Sequence, residues 1–235
     1  MKIYIFEKGF NYSQDGPGNR LVYHLSGCNM ICPWCSNPEG MTKSGIEYDT
    51  TEIINEIKTS MPMFFDGGGV TFTGGECTLQ SDAVLEIIEA LPDVDFCIES
   101  NATSDDFITV AEKCNTVIVD YKSPDKDKLL SVTGGKITTI ENNIRKIEKN
   151  KHVHIRIPLI HSFNDDDKSL NGFIEFFRSL KGNFDVELLP YHEYGKEKWL
   201  KVGKEYAVTD GYVSIETINK FTNILKENSV KVIKT

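Results

Sequence analysis

Runs of β-branched and aromatic residues at 21–26, 70–73, 95–100, 116–121, 154–159 and 185–189 predict six strands. Longer amphipathic stretches separate them. Asp49-Thr50-Thr51-Glu52 supplies helix-start chemistry ahead of an Ile53, Ile54 and Ile57 stripe, and Ser81-Asp82 precedes Val84, Ile87, Ile88 and Leu91. Ser104-Asp105-Asp106 opens a third helix, and 138–149, 169–180 and 214–227 predict three more. A short strand is expected at 231–233. Repeated strand–helix units build a parallel sheet with right-handed crossovers. Six units fall short of the eight that close a barrel, so the expected fold is α/β, a partial (β/α)6 open barrel. A doubly wound open sheet is the alternative, and either one places a site at the carboxyl ends of the strands. No Pro/Gly/Ser-rich linker interrupts the rhythm, which predicts a single domain over residues 1–235.

Composition narrows the partners. Hydrophobic residues make up 40% and charged residues 26% of the chain, a balance unlike that of disordered or fibrous proteins. Lys and Arg total 26 against 35 Asp and Glu, a formal net charge of -9, so no nucleic-acid partner is expected. Lys122, Lys126, Lys128, Lys136, Arg145, Lys146, Lys149 and Lys151 form a local basic stretch that ordinarily reads as a solvated helix face. No apolar run approaches the ~20 residues that span a bilayer, and Met1-Lys2-Ile3-Tyr4-Ile5-Phe6 has no long apolar core of a signal peptide. The expectation is a cytoplasmic protein without a membrane partner. Six cysteines in such a chain are not a disulfide framework.

Their spacing carries the chemistry. Cys28-Asn29-Met30-Ile31-Cys32-Pro33-Trp34-Cys35 is a C-x3-C-x2-C run directly after the first predicted strand. Three thiolates in one loop suit an iron–sulfur cluster, and soft sulfur also suits zinc. A structural zinc site wants a fourth ligand, for which His24 and Cys77 are the candidates. Gly74-Gly75-Glu76 ends the second strand, where bare backbone and a carboxylate can hold an ammonium group. Glu99-Ser100-Asn101 and Asp120-Tyr121-Lys122 close the next two strands, and two acids there repel unless a cation lies between them. Helix capping is the plain alternative for either acid. Arg156, flanked by Ile155 and Ile157 on the fifth strand, needs an anionic partner if it is buried. Cys97 and Cys114 read as small buried hydrophobes.

The cysteine run together with the Gly-Gly-Glu segment resembles the radical S-adenosylmethionine (SAM) superfamily. Asp15-Gly16-Pro17-Gly18, residues 28–38, 69–80 and 120–122, and Glu187-Leu188-Leu189-Pro190-Tyr191-His192 with Gly195 and Lys198-Trp199 resemble the glycyl-radical-enzyme activating enzymes within it. That resemblance implies Cys28, Cys32 and Cys35 as ligands of one 4Fe–4S cluster, with no ferredoxin-like insert, since residues 36 to 73 contain no cysteine. It implies Trp34 and Asn37 near the adenosyl part of SAM, and Gly74, Gly75, Glu76, Lys122, Arg156 and His192 around the cofactor. Glu99, Ser100 and Asp120, with the backbone of Ile118, match a monovalent-cation site, while Asp15 and Gly16 match a loop that receives the partner.

The implied activity is anaerobic reductive cleavage of SAM to a 5′-deoxyadenosyl radical, which takes a Cα hydrogen from a glycine of pyruvate formate-lyase or a similar glycyl-radical enzyme. No catalytic residue beyond cluster and SAM is implied. The implied electron donor is a flavodoxin or ferredoxin, and the implied state is a monomer. Ser36, Cys77, Glu99 and Asn101-Ala102 depart from the family pattern, and the longer carboxylate at 99 bears on the cation site. Two other readings remain open: a radical SAM enzyme acting on a peptide or small molecule, and a non-catalytic zinc- or cluster-binding interaction module.

Overall fold

The computed structural model describes residues 1–234. In chain order its elements are β1 (Lys2–Tyr12), β2 (Asn19–Leu25), β3 (Ile46–Asp49), α1 (Thr50–Ser60), β4 (Val70–Gly74), α2 (Ser81–Ala90), β5 (Phe96–Ser100) and α3 (Phe107–Lys113). There follow β6 (Thr116–Asp120), α4 (Lys126–Thr133), α5 (Ile137–Ile147), β7 (Val153–Leu159), α6 (Asp167–Ser179), β8 (Phe184–Pro190), α7 (Lys196–Lys201), α8 (Ile215–Glu227) and β9 (Val232–Ile233). The nine strands belong to one mixed α/β sheet with β3 and β9 at its ends, so it does not close.

The six predicted main strands are present as β2, β4, β5, β6, β7 and β8, and the stretch at 231–233 contains β9. Two strands lie outside the predicted rhythm. β1 pairs antiparallel with both β2 and β3, so the sheet is mixed where a purely parallel one was expected. The reason lies in how β1 is buried. Ile3 and Ile5 point into the core, but from Glu7 onward the strand is largely exposed, which erases the alternation that marks a half-buried strand.

The described residues form two compact units. The first comprises Met1–Asn29, Asn37–Ser100 and Ser104–Ile118. Its sheet order is β3-β1-β2-β4-β5, with β2, β4 and β5 parallel. Tyr23, Phe72 and Phe96 stack across those three strands at ring separations of 5.9 and 6.0 Å, and α1, α2 and α3 pack in series beside them. Asp49 and Glu52 make a capping box that starts α1, as the sequence anticipates.

The second unit comprises Met30–Ser36, Asn101–Thr103 and the chain from Val119 onward. Within it β7, β8 and β9 are parallel. Tyr121, at the end of β6, sits among Phe173, Phe176 and Phe177 of α6, and Phe184 of β8 extends the cluster. Asp125 caps α4 by accepting from the Asp127 and Lys128 amides, and the Lys168 ammonium with those amides holds its carboxyl down to about 2. Among the described residues no helix is long and apolar enough to cross a membrane.

Candidate functional site

In the first unit the Gly-Gly-Glu segment lies where β4 ends. Gly74 takes φ +108°, and a Cβ on Gly75 would stand 2.2 Å from Gly27 O and 2.4 Å from Gly40 O. Glycine at 75 therefore serves close packing of the backbone that leads to Cys28, an additional reason beyond leaving space for a ligand. Gly75 N donates to Leu25 O and Glu76 N to Gly27 O, which ties the segment to the β2 exit.

Glu76 is fully buried, and its Oε1 accepts from Thr78 N at 3.1 Å, Thr78 Oγ1 at 2.5 Å and Ser100 Oγ at 2.7 Å. One carboxylate oxygen thus caps the turn at Cys77–Gln80 and brings Ser100 of β5 onto the Gly-Gly-Glu loop. Glu99 accepts at Oε2 from Thr73 Oγ1. Cys77, a candidate fourth ligand by sequence, is fully buried and donates its thiol to Glu99 O. Burial and the Glu76 charge push its pKa well above the usual thiol value, so it is a poor thiolate ligand. Cys97 and Cys114 are buried as expected. His24 packs its ring against Phe6.

The Asp15–Gly18 loop joins β1 to β2. Asn11 Nδ2 donates to the Asp15 carboxylate, and the Asp15 carbonyl accepts from Thr71 Oγ1. Gly16 lies against the Arg20 side chain. Nothing in the local sequence marks Arg20, yet its side chain is 1% exposed and fully engaged. Its guanidinium donates to Thr71 Oγ1, to the carbonyls of Pro17, Gly67, Val70 and Asp95, and to Asp95 Oδ1. It fastens this loop to the entry of β4.

In the second unit Cys32 and Cys35 sit on a turn closed by Cys35 N to Cys32 O, and Ile31 N donates to Thr133 O. Trp199 Nε1 donates to Cys35 O at 2.9 Å. A Cβ on Gly195 would stand 2.5 Å from that same carbonyl and 2.6 Å from Ser36 Cα. The segment at 191–199 is therefore built directly onto the cysteine turn, which explains its glycine and its tryptophan. Trp34 packs on Phe163 at 4.5 Å.

Arg156 and Glu187 are register partners on β7 and β8, and Arg156 Nε donates to Glu187 Oε2 at 3.0 Å. The anionic partner that burial of this arginine demands is thus supplied by the chain itself. Lys122 Nζ lies 2.7 Å from Asp120 Oδ2, and Asn164 Nδ2 donates to the Lys122 carbonyl. His192 stacks on Tyr194 at 4.2 Å, and partial burial lowers its pKa below the usual imidazole value. The basic stretch is no bare patch, because Lys122, Lys128 and Arg145 pair with Asp120, Asp166 and Glu141. Of the other predicted positions, Cys28, Asn37, Glu99 and Ser100 belong to the first unit and Asp120 to the second.

A model of the radical SAM superfamily matches residues 22–174. The chain belongs to the radical SAM superfamily. This radical SAM chain is 33% identical over 210 residues to a pyruvate formate-lyase-activating enzyme of Staphylococcus aureus (strain USA300), which covers 83% of this chain and 84% of that protein. The crystal structure of a domain of pyruvate-formate lyase-activating enzyme from Bacteroides vulgatus ATCC 8482 is 25% identical, with a TM-score of 0.59 over 71% of this chain and 98% of that one. A radical SAM methyltransferase from Sphaerobacter thermophilus, 16% identical with a TM-score of 0.66 over 96% of this chain and 72% of that one, shares the fold.

Radical SAM membership implies SAM and a 4Fe–4S cluster. The donor chemistry fits: Cys28, Cys32 and Cys35 form no disulfide, and cysteine thiolates are the ordinary ligands of such clusters. The carbonyl of Cys35 is held by Trp199 and its amide by the turn, which fixes the backbone between Cys32 and Cys35.

Proposed function

We propose that this radical SAM enzyme activates a glycyl-radical enzyme, pyruvate formate-lyase or one of similar loop chemistry, with residues 1–235 acting as one domain. In this reading Cys28, Cys32 and Cys35 would hold a 4Fe–4S cluster, three thiolates from one loop leaving room for SAM to bind beside it. Once bound and reduced by one electron, such a cluster would supply reductive cleavage of SAM, the chemistry by which a hydrogen atom would be taken from the Cα of the partner's glycine.

The chain's own residues bind and orient. Gly74, Gly75 and Glu76 would receive the methionyl ammonium, and Arg156 and Lys122, each already paired with Glu187 or Asp120, would add positive charge for its carboxylate. Trp34 and Asn37 flank the adenosyl part. His192 would contact SAM, and burial of its ring, which lowers its pKa, favours the uncharged imidazole there. Glu99, Ser100 and Asp120, with the Ile118 carbonyl, hold a monovalent cation. Asp15 and Gly16 would receive the glycyl loop, and electrons would come from a flavodoxin or ferredoxin. No side chain is required as a general base, and the protein works as a monomer.

The observation that carries this reading is the seating of the activating-enzyme segment on the cysteine turn, through Trp199 Nε1 to Cys35 O and Gly195 against Ser36. The identity to pyruvate formate-lyase-activating enzymes adds support. Anaerobic mixing of the reduced, cluster-loaded protein with SAM and pyruvate formate-lyase is expected to produce the glycyl-radical doublet in electron paramagnetic resonance. SAM cleavage with no doublet on that partner or on other glycyl-radical enzymes would favour a peptide or small-molecule substrate instead.

A further inference from the structure

At the amino ends of β7 and β8 lies a cluster that the radical chemistry does not use. His154 and Asp185 are register partners, each the second residue of its strand, and His152 immediately precedes β7. Asp185 is 3% exposed, whereas the two imidazoles are about a third exposed. His152 Nε2 lies 3.0 Å from Asp185 Oδ2, and His154 Nδ1 lies 2.5 Å from Asp185 Oδ1. One ligand atom from each residue falls within 4.8 Å of the other two. At ~3.3 Å per residue, Asp185 is roughly 16 Å along β8 from the carboxyl end that leads to His192.

We propose that His152, His154 and Asp185 form a second metal site, one that takes a borderline divalent cation such as Zn2+. Two imidazoles and a carboxylate suit zinc, nickel and copper better than magnesium or calcium, which prefer oxygen alone. Metal–ligand bonds of about 2.0–2.2 Å place tetrahedral ligand atoms roughly 3.3 Å apart. The part-exposed imidazoles can close that gap by side-chain rotation, while Asp185 stays fixed by its strand. Three protein ligands leave a position for water.

Without an ion the three side chains form a hydrogen-bonded trio, and Lys231 Nζ, 3.3 Å from Asp185 Oδ2, competes with a metal for that carboxylate. Lys231 is 68% exposed and free to swing into solvent, so it competes with the metal without blocking it. A bound ion would tie the segment ahead of β7 to β8, locking the amino ends of two parallel strands.

The test is anaerobic titration of the cluster-loaded protein with Zn2+, followed by calorimetry, with iron content measured before and after so that displacement at the thiolates is seen. One Zn2+ per chain without iron loss is expected. His154→Gln should weaken that binding about tenfold or more, and His152→Gln, at a part-exposed position outside the strand, does the same with less risk to folding. Lys231→Met should tighten it. Absence of binding to the wild-type protein, binding unchanged in both histidine variants, or binding unchanged in Lys231→Met would overturn the proposal.

Discussion

Replacing Cys32 with Ala is expected to leave a protein that folds but does not retain a 4Fe–4S cluster. Anaerobic reconstitution of the wild type should give a brown protein with about four irons per chain. Cys32→Ala should stay nearly colourless, with iron near background. Two thiolates cannot hold a cubane that three hold with one corner free, and no other cysteine replaces the lost ligand. Cys77, Cys97 and Cys114 are fully buried, and burial raises the thiol pKa of Cys77 and Cys97. Cys32 is a small side chain on a turn whose backbone is held by its own hydrogen bonds and by Trp199, so folding should survive its truncation. Iron content and the visible spectrum decide the matter. Wild-type iron content in Cys32→Ala would remove this cysteine from the ligand set.

The second large effect is on stability. Arg20→Met should destabilise the protein by about 3 kcal/mol, the low end of the cost of breaking a buried ion pair. The low end applies because the Asp95 side chain is 35% exposed and can be rehydrated. What cannot be rehydrated as easily are the Val70 and Asp95 carbonyls, which accept from Arg20 Nη2 at 2.9 and 3.0 Å. For a chain of this size the loss corresponds to a fall in Tm of roughly 6–12 °C. Asp95→Asn, which keeps the carbonyl contacts of Arg20, should cost much less. Equal losses for the two variants in thermal unfolding would show that the ion pair, and not the carbonyl cage, carries the stabilisation.

Arg20 also marks where the sequence falls silent. Its partners are mostly backbone carbonyls from residues 17, 67, 70 and 95, and a carbonyl has no signature in a sequence. The same holds for β1, whose outer half extends as an exposed ribbon. α4 buries only Leu129 and Thr133, and α7 is six residues long, so neither writes a helical stripe. By contrast the six main strands were legible because they bury β-branched runs between polar helix starts. The cysteine spacing was legible for a different reason: three ligands from one loop are local in sequence.

Pairings across strands were visible only as needs. The alternation around Arg156 said that it required an anion, but only the parallel register of β7 and β8 names Glu187 as that anion. That register also gathers His154 and Asp185, which stand 31 residues apart. Trp199 belonged to a recognised segment, while its bond to the Cys35 carbonyl across 164 residues required the fold.

The most direct measurement is the yield of 5′-deoxyadenosine when the cluster-loaded protein is reduced with dithionite in the presence of SAM, without oxygen. Formation of 5′-deoxyadenosine and methionine, absent in Cys32→Ala, is the expected result. A fully loaded, reduced cluster that leaves SAM intact would contradict it.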